Sequence, residues 1–334
     1  MTSEAKTLII FETNKLRQVV EGEPSYGKFD FSFEFKQLNN FIHENGLTDY
    51  IHVAVPDIVI HELLQQKIEQ YNDDCADFLA IKARLSELPD ADFSQVKLPS
   101  NEFSCQDHLR PQLEEFISNS GIKLIELPDE KLDDIFRKIL ERAIQKEAPF
   151  KRSNKSSDIG FKDVVIWETI LHYSAIQNYD KVFFLTKDSI FDNKCKNEFR
   201  TKLEKDISFQ TAVPLVIGDL EEIYTDEIEH NKYVKFAYSD YFKGHINNKL
   251  KSIETIDFNN EEWVKSSVEG IVYLETYGHS DDEGEPLTIF VSKAKIIITR
   301  MQDTKEVNVV INTVVDKNME IEDADFEIEG VSGS

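Results

Sequence analysis

The sequence has few cysteines and no long apolar run, and each shortage excludes a class of protein. The three cysteines, Cys75, Cys105 and Cys195, lie far apart and form no CxxC pair, which argues against a disulfide framework or a cysteine zinc site. We expect each to be a buried, reduced thiol. No stretch approaches the roughly 20 continuous apolar residues of a membrane span, and MTSEAKTLIIF lacks the features of a signal peptide. We therefore expect a cytoplasmic protein that does not enter a membrane.

Several common catalytic signatures are also missing. No GxGxxG, Walker loop or GxSxG elbow occurs, which excludes the commonest nucleotide-binding and serine-hydrolase signatures. His61 and Glu62 begin like the zinc-protease motif HExxH, but Gln65 stands where the second histidine is required. The chain nevertheless has ample material for a core, since 40% of its 334 residues are hydrophobic and 23 are phenylalanine.

Positive charge is scarce, with 38 Lys and Arg against 63 Asp and Glu and a net charge of −25. Such a charge disfavours general nucleic-acid binding, because phosphate contacts normally supply most of the affinity. One segment, 142–162, is locally basic; its cations are Arg142, Lys146, Lys151, Arg152, Lys155 and Lys162. It would hold a single strand of nucleic acid while the acidic remainder discourages binding to duplex DNA. The alternative is a solvated loop that happens to be basic.

The hydrophobic pattern alternates between strand and helix over the first two thirds of the chain. TLIIF, IHVAVP, GIKLIELP, KVFFLT and AVPLVIG read as strands, and the segments between them read mostly as helices. One such helix is FEFKQLNNFIHENG, with Phe33, Phe35, Leu38, Phe41 and Ile42 at roughly helical spacing. We therefore predict an α/β fold with a central parallel sheet and helices on both faces.

The character of the sequence changes near residue 230. We predict an α/β domain over 1–230, with a helical insertion around 73–120, and a small β-rich domain with an acidic tail over 231–334. The tail from Met319 to Gly330 alternates acids with apolar residues. It reads as an edge strand or a partner-binding arm, and the edge strand is favoured.

Four acids are placed at the ends of strands or in the helices that follow them. Glu12 follows TLIIF, Glu62 lies in the helix after IHVAVP, Asp163 opens the helix KDVVIWETIL, and Asp188 follows KVFFLT. In an open α/β sheet the carboxyl ends of the strands form a crevice, so these acids are expected to converge. Converging carboxylates need a cation, and Mg²⁺ or Mn²⁺ takes oxygen ligands. The leading hypothesis is metal-assisted cleavage of a phosphodiester bond.

Each acid also has an ordinary structural interpretation. Glu62 in a helix interior is commonly solvent-facing. Asp163 suits the first turn of a helix, where the helix dipole favours it, and Asp188 suits a cap or a turn. Trp167 lies in an apolar helix stripe and reads as core rather than as a platform for stacking bases.

The motifs FETN, PDIVIHEL, GFKDVVIW and FFLTKD, in this order, resemble those of the PIN domain nucleases, specifically the larger bacterial PIN-like group. The resemblance covers about residues 6–220, and APFKRSNKSSDIGFKDVVIWETIL is its most specific part. It implies a central parallel sheet and Mg²⁺- or Mn²⁺-dependent cleavage of RNA, single-stranded or structured, by metal-activated water. By the same resemblance Glu12, Glu62, Asp163 and Asp188 bind the metal, and Asn14 and Thr186 support them.

Two positions depart from the family pattern. The first acid is usually Asp, and the longer Glu12 places its carboxylate differently, which puts activity in question. In the loop after Asp188 the next acid is Asp192, which we regard as a candidate extra ligand.

The sequence therefore leaves more than one function open. The first is a metal-dependent endoribonuclease, for which the resemblance implies a toxin or defence effector restrained by self-association or a protein partner bound to its β-domain. The second is a catalytically weakened PIN-like protein that binds nucleic acid or regulates. A structure-specific DNA nuclease is the third.

Overall fold

The structure is a computed structural model that describes residues 5–17, 26–89, 92–93, 98–99, 103–150, 160–252, 254–258, 261–280 and 285–331. The chain divides into two compact units, Met1–Tyr224 and Thr225–Ser334. In the ranges described, we find no helix with the length and apolar character that crossing a membrane requires.

A parallel sheet forms the centre of the first unit. Its strands are β1 Thr7–Phe11, β2 Ile51–Pro56, β3 Lys123–Ile125, β4 Lys181–Leu185 and β5 Ser208–Gln210. They lie in the order β3-β2-β1-β4-β5, and every neighbouring pair is parallel. Ile9 of β1 stands beside Val53 on one side and Phe183 on the other. β1 is therefore the middle strand, and all its residues are buried.

Helices surround this sheet. Those in the described part of the first unit are α1 Thr13–Leu16, α2 Phe33–Glu44, α3 Asp57–Leu85, α4 Cys105–Ser120, α5 Leu132–Gln145, α6 Phe161–His172, α7 Asn193–Leu203 and α8 Val213–Ile223. Helix α6 is buried on most of its surface, in keeping with its apolar sequence. The predicted α/β class, a central parallel sheet with flanking helices followed by a β-rich C-terminal part, is confirmed.

Some local predictions were wrong. AVPLVIG does not form a strand but opens α8, because Pro214 suits the first turn of a helix and Val213, Val216 and Leu220 bury one helical face. Phe33 was placed on the apolar face of α2, yet it is 78% exposed at the first position of the helix. Of the three cysteines, all with free thiols, Cys75 is only partly buried.

Aromatic side chains fill the space beside β4. The ring centroid of Phe184 lies 4.9 Å from that of Phe191 and 5.8 Å from that of Phe209. Trp167 of α6 is fully buried, with its centroid 6.3 Å from that of Phe191. Trp167 is therefore a core residue, as its apolar surroundings in the sequence indicated.

The second unit begins with two helices that we did not predict, α9 Thr225–Ala237 and α10 Asp240–Ser252. An antiparallel sheet follows. Its strands, in the order β10-β9-β8-β7-β6, are β6 Thr255–Phe258, β7 Glu261–Ser280, β8 Pro286–Arg300, β9 Asp303–Val315 and β10 Ile321–Val331. Phe242, Ile246 and Leu250 of α10 join the core formed by β8 and β9.

The acidic tail forms the edge strand of that sheet. β10 pairs antiparallel with β9 on one side only, so the edge-strand interpretation is the one that the structure supports. Its acids are exposed to solvent; they are Glu322, Asp323, Asp325, Glu327 and Glu329. Charged side chains on an edge strand discourage further strands from pairing with it.

The contrast between Phe184 and Phe33 gives a test of this core. Phe184→Ala should lower the free energy of unfolding by about 3–5 kcal/mol, because it removes a fully buried ring between two other rings. The matched variant Phe33→Ala should change it by less than about 0.5 kcal/mol, since that ring is mostly exposed. Urea unfolding curves measure both changes. Equal losses would contradict the position of α2.

Candidate active site

The sheet places the four acids near one edge. Glu12 follows the last residue of β1, and Asp188 lies three positions beyond the last residue of β4, the neighbouring parallel strand. The amide of Glu12 donates a hydrogen bond of 3.0 Å to the carbonyl of Leu185, which ties the two strand ends together. Glu62 lies in the second turn of α3, which starts directly after β2, and Asp163 lies in the first turn of α6.

Glu12 is a buried acid with a specific partner. Its side chain accepts a 2.8 Å hydrogen bond from Thr186 Oγ1, and both residues are buried. Burial raises the pKa of Glu12 from 4.5 to about 7, the hydrogen bonds from Thr186 and from the backbone of Asn14 oppose that rise, and the negative charges of Asp163 and Asp188 add to it. Asp163 and Asp188 therefore lie close enough to Glu12 for their charges to act on it.

The loop after β4 is held by short hydrogen bonds. The amide of Asp188 donates to Thr186 Oγ1 at 3.0 Å, and the amide of Ile190 donates to Asp188 Oδ1 at 3.1 Å. Asn14 Oδ1 accepts from the amide of Lys187 at 3.2 Å. Thr186 thus connects Glu12 to the backbone that carries Asp188, and Asn14 fixes the same loop from α1. Their role in supporting a metal site stays a prediction.

Glu62 is held between a hydroxyl and an ammonium group. Thr13 Oγ1 donates a 2.7 Å hydrogen bond to Glu62 Oε2, and Lys162 Nζ donates one of 2.9 Å to Oε1. The Glu62 side chain is 16% exposed and that of Lys162 is 59% exposed. Thr13 follows Glu12 directly in the chain, so its hydroxyl group connects the segment of Glu12 to the carboxylate of Glu62. The carboxylate of Glu62 already has a cation beside it.

The donor set suits a hard divalent cation, although the side chains are not gathered into a cage. Carboxylate oxygens are the ligands that Mg²⁺ and Mn²⁺ prefer, and the repulsion acting on Glu12 is the kind that a cation relieves. Across the described ranges, however, no group of three or more His, Cys, Asp or Glu side chains is arranged to hold a metal ion. Carboxylates are suitable ligands for a divalent cation. Lys162, however, lies where part of that cation's contact with Glu62 would be made.

Asp192 has a different position in the structure. It is the N-cap of α7, and its Oδ1 accepts a 2.7 Å hydrogen bond from the amide of Lys194. One of its carboxylate oxygens therefore stabilises the start of a helix.

The structure describes only three of the six cations of the predicted basic segment. Lys146 is exposed at the end of α5, and Lys162 pairs with Glu62. Lys151, Arg152 and Lys155 lie outside the residues that the structure describes. Whether the segment 142–162 forms a continuous cationic strip therefore stays a prediction.

Arg142 differs most from its predicted role. Its side chain is only 12% exposed, its Nε donates to Glu168 Oε1 at 3.0 Å, and its guanidinium also pairs with Glu198. A third hydrogen bond, of 2.8 Å, reaches the carbonyl of Ala148. These acceptors correct the prediction that Arg142 belongs to an exposed basic surface. Its guanidinium instead ties α5 to α6 and α7.

Sequence reasoning missed two contributors to this region. Thr13 had a signal, because it stands inside the motif FETN next to Glu12. Glu168 had none, because an acid in an apolar helix gives no sign that Arg142, remote in sequence, will pair with it. Glu198 is linked to the same network through a 2.9 Å hydrogen bond from Trp167 Nε1.

The family model described as "PIN domain" matches residues 9–191, which is more than half of the chain and includes all four acids. No curated protein and no solved structure matches the chain. Together with the parallel sheet and the acids at its carboxyl edge, the match shows that the chain belongs to the PIN domain family.

Proposed function

We propose that this protein is a metal-dependent endoribonuclease whose acids at the carboxyl edge of the sheet hold a Mg²⁺ or Mn²⁺ ion. The observation that carries the proposal is the proximity of three of them, since Asp163 and Asp188 lie close enough to the buried carboxyl of Glu12 for their charges to act on it. Perturbed carboxyl pKa values cluster at functional sites, and ligands of open α/β sheets bind at the carboxyl ends of the strands. Membership of the PIN domain family, whose fold is nuclease-like, supports the same reading.

In this proposal Glu12, Asp163 and Asp188 hold the ion, and Glu62 joins them when Lys162 moves aside. A bound divalent ion would lower the pKa of water, so that the water loses a proton and attacks phosphorus more readily. The positive charge of the ion would also stabilise the leaving oxygen. The protein's own contribution is position. Thr186 orients the carboxylate of Glu12 and Thr13 that of Glu62.

RNA as the substrate and a toxin or defence setting are parts of the same proposal, and they rest on the family resemblance. The second unit would then bind a protein partner that restrains the nuclease. Its exposed acids suit a basic partner surface.

A second candidate function, a PIN-like protein that binds nucleic acid without cleaving it, is favoured by specific observations. Glu12 replaces the usual Asp, and Lys162 neutralises Glu62. A site with these two features would still present a nucleic-acid surface, because binding does not require the ion.

Cleavage assays decide between the two functions. Labelled single-stranded RNA, single-stranded DNA and duplex DNA are incubated with the protein in Mn²⁺ or in EDTA. We expect cleavage of RNA in Mn²⁺, none in EDTA, and a loss of at least ~100-fold in Asp163→Asn, which is about 2.7 kcal/mol of barrier. Asp129→Asn, at an exposed acid in a 3₁₀ turn, is the matched control and should keep full activity. Cleavage that persists in EDTA would exclude the metal, and binding without cleavage would favour the second function.

The ion pair between Lys162 and Glu62 predicts a gain of metal affinity. Lys162→Gln removes a cation that competes for the Glu62 carboxylate, so the Mn²⁺ concentration that raises the melting temperature should fall about two- to tenfold. Lys181→Gln, at the exposed start of β4, is the control. Thermal melts across a Mn²⁺ titration measure the effect. Identical titration midpoints in the two variants would show that Lys162 does not compete with Mn²⁺ for Glu62.

The raised pKa of Glu12 predicts how stability depends on pH in EDTA. The folded state binds the carboxyl proton of Glu12 more tightly than the unfolded state does, so protonation of Glu12 stabilises the fold. This stabilisation is complete below pH 4.5 and is lost as the pH rises through about 7. Urea unfolding should show this loss, on the order of 3 kcal/mol, in wild type. Glu12→Gln lacks the titrating group and should show a flatter profile. Parallel profiles for the two proteins would mean that Glu12 ionises as freely as in the unfolded chain.

A further inference from the structure

An apolar cavity of about 250 Å³, called here the α10 cavity, lies in the second unit between the end of α10 and the antiparallel sheet. One charged side chain, that of Lys265, lines it together with six apolar ones, which are Leu250, Ile256, Ile296, Val309, Phe326 and Ile328. Leu250, Ile296 and Val309 are buried core residues, whereas Ile328 is 36% exposed. The cavity is therefore closed by the core at one side and open to solvent at the other.

The acids of β10 do not point into this cavity. Asp325, Phe326, Glu327 and Ile328 pair with consecutive residues of β9, so the strand is regular here. Successive side chains of a strand point to opposite faces of a sheet. Because Phe326 and Ile328 line the cavity, Asp325 and Glu327 point to the other face, where both are exposed.

Lys265 is a cation on the apolar face of the sheet. It stands opposite Ile298 of β8, which is fully buried in the core of the second unit, and directly paired residues share a face. The ammonium group of Lys265 donates a hydrogen bond to the carbonyl of Leu250, in the last turn of α10. An ammonium group has three N–H donors, so two of them remain for another acceptor.

Among the described residues Lys265 has no carboxylate partner, unlike Lys249 of α10, which pairs with Asp323. Burial lowers the pKa of Lys265, and the positive charge of Lys251 lowers it further. Both effects disfavour the charged form of the ammonium group. A bound anion would offset them.

The lining of the cavity indicates a ligand with an apolar body and one negative charge. Six apolar side chains favour a hydrocarbon chain, and the single ammonium group favours a carboxylate. At roughly 30 Å³ for each group of the size of a water molecule, the cavity holds about eight methylene groups. This volume is below the roughly 300–1,000 Å³ of sites for drug-sized ligands, so the ligand is a small one.

We propose that the α10 cavity binds a straight-chain carboxylate of about eight carbons, a medium-chain fatty acid, with its carboxylate on the ammonium group of Lys265. An apolar side chain from a partner protein would fill the same space but would leave that ammonium group without an anion. The inference is independent of the proposed nuclease activity, because every residue that it uses belongs to the second unit. It gives that unit a small-molecule binding function.

Calorimetric titration of the full chain with octanoate and with octan-1-ol tests the proposal, since the two ligands share an apolar chain and differ in charge. Wild type should bind octanoate about three- to tenfold more tightly than octan-1-ol. Lys265→Met should abolish this preference, because it keeps an apolar stem and removes the charge, and Lys265→Arg should retain it. Lys293→Met, on β8, is the matched control and should keep the preference, since Lys293 does not line the cavity.

A cavity-filling variant tests the location of the ligand separately from its charge. Ile328→Phe places a larger side chain at the open side of the cavity and should weaken the binding of both ligands by at least about tenfold. Because Ile328 is partly exposed, the variant should fold, and thermal melts check this. Hexanoate should bind wild type about tenfold more weakly than octanoate, since it buries a shorter chain.

Any of four results would overturn the proposal. Wild type might fail to bind octanoate, or it might bind octanoate and octan-1-ol equally. Lys265→Met might bind octanoate as tightly as Lys293→Met does, which would separate the carboxylate from Lys265. Ile328→Phe might bind both ligands like wild type, which would place them outside the α10 cavity.

Discussion

The parallel pairing of β1 with its neighbours determines where the acids of this protein lie. β1 is the middle strand, and its register with β4 brings the amide of Glu12 to the carbonyl of Leu185. Every residue of β1 is buried, and a slip of one position would turn each side chain to the opposite face of the sheet and move Glu12 out of reach of Thr186. The burial that stabilises the sheet therefore also fixes the geometry of the site.

The site combines burial with like charges, and the protein offsets this with hydroxyl groups and a lysine. Thr186 stabilises Glu12, while Thr13 and Lys162 stabilise Glu62. The raised pKa of Glu12 shows that these contacts do not fully offset burial and the charges of Asp163 and Asp188. Carboxyl groups whose pKa is shifted by burial and neighbouring charge cluster at functional sites.

Much of this fold could be predicted from the sequence, because each strand and helix has its own local pattern. TLIIF, IHVAVP and KVFFLT are short apolar runs between turn signals, and the acids after them stand at positions that a parallel sheet brings together. AVPLVIG was misread because a short apolar run does not by itself distinguish a strand from a buried helix turn.

Contacts between distant segments were the part that could not be predicted. Arg142 reads as a surface cation because its partners, Glu168 and Glu198, lie 26 and 56 positions away. The same holds for Lys162, whose partner Glu62 is 100 positions away. Composition gives the number of charges, but only the packing of α5, α6 and α7 decides which of them meet. The helices α9 and α10 were missed because the β-rich pattern that follows them dominated the interpretation.

The acidic edge of the second unit also limits how copies of this chain can assemble. If two molecules joined their sheets through β10, rows of carboxylates would line up on both sides of the new seam. Lys249 and Lys293 neutralise two of the acids in each copy, through Asp323 and Glu329, and the rest would repel across a spacing of about 5 Å. Pairing of two copies through this strand is therefore electrostatically unfavourable at low ionic strength, and a lysine-rich strand from another protein would meet no such barrier.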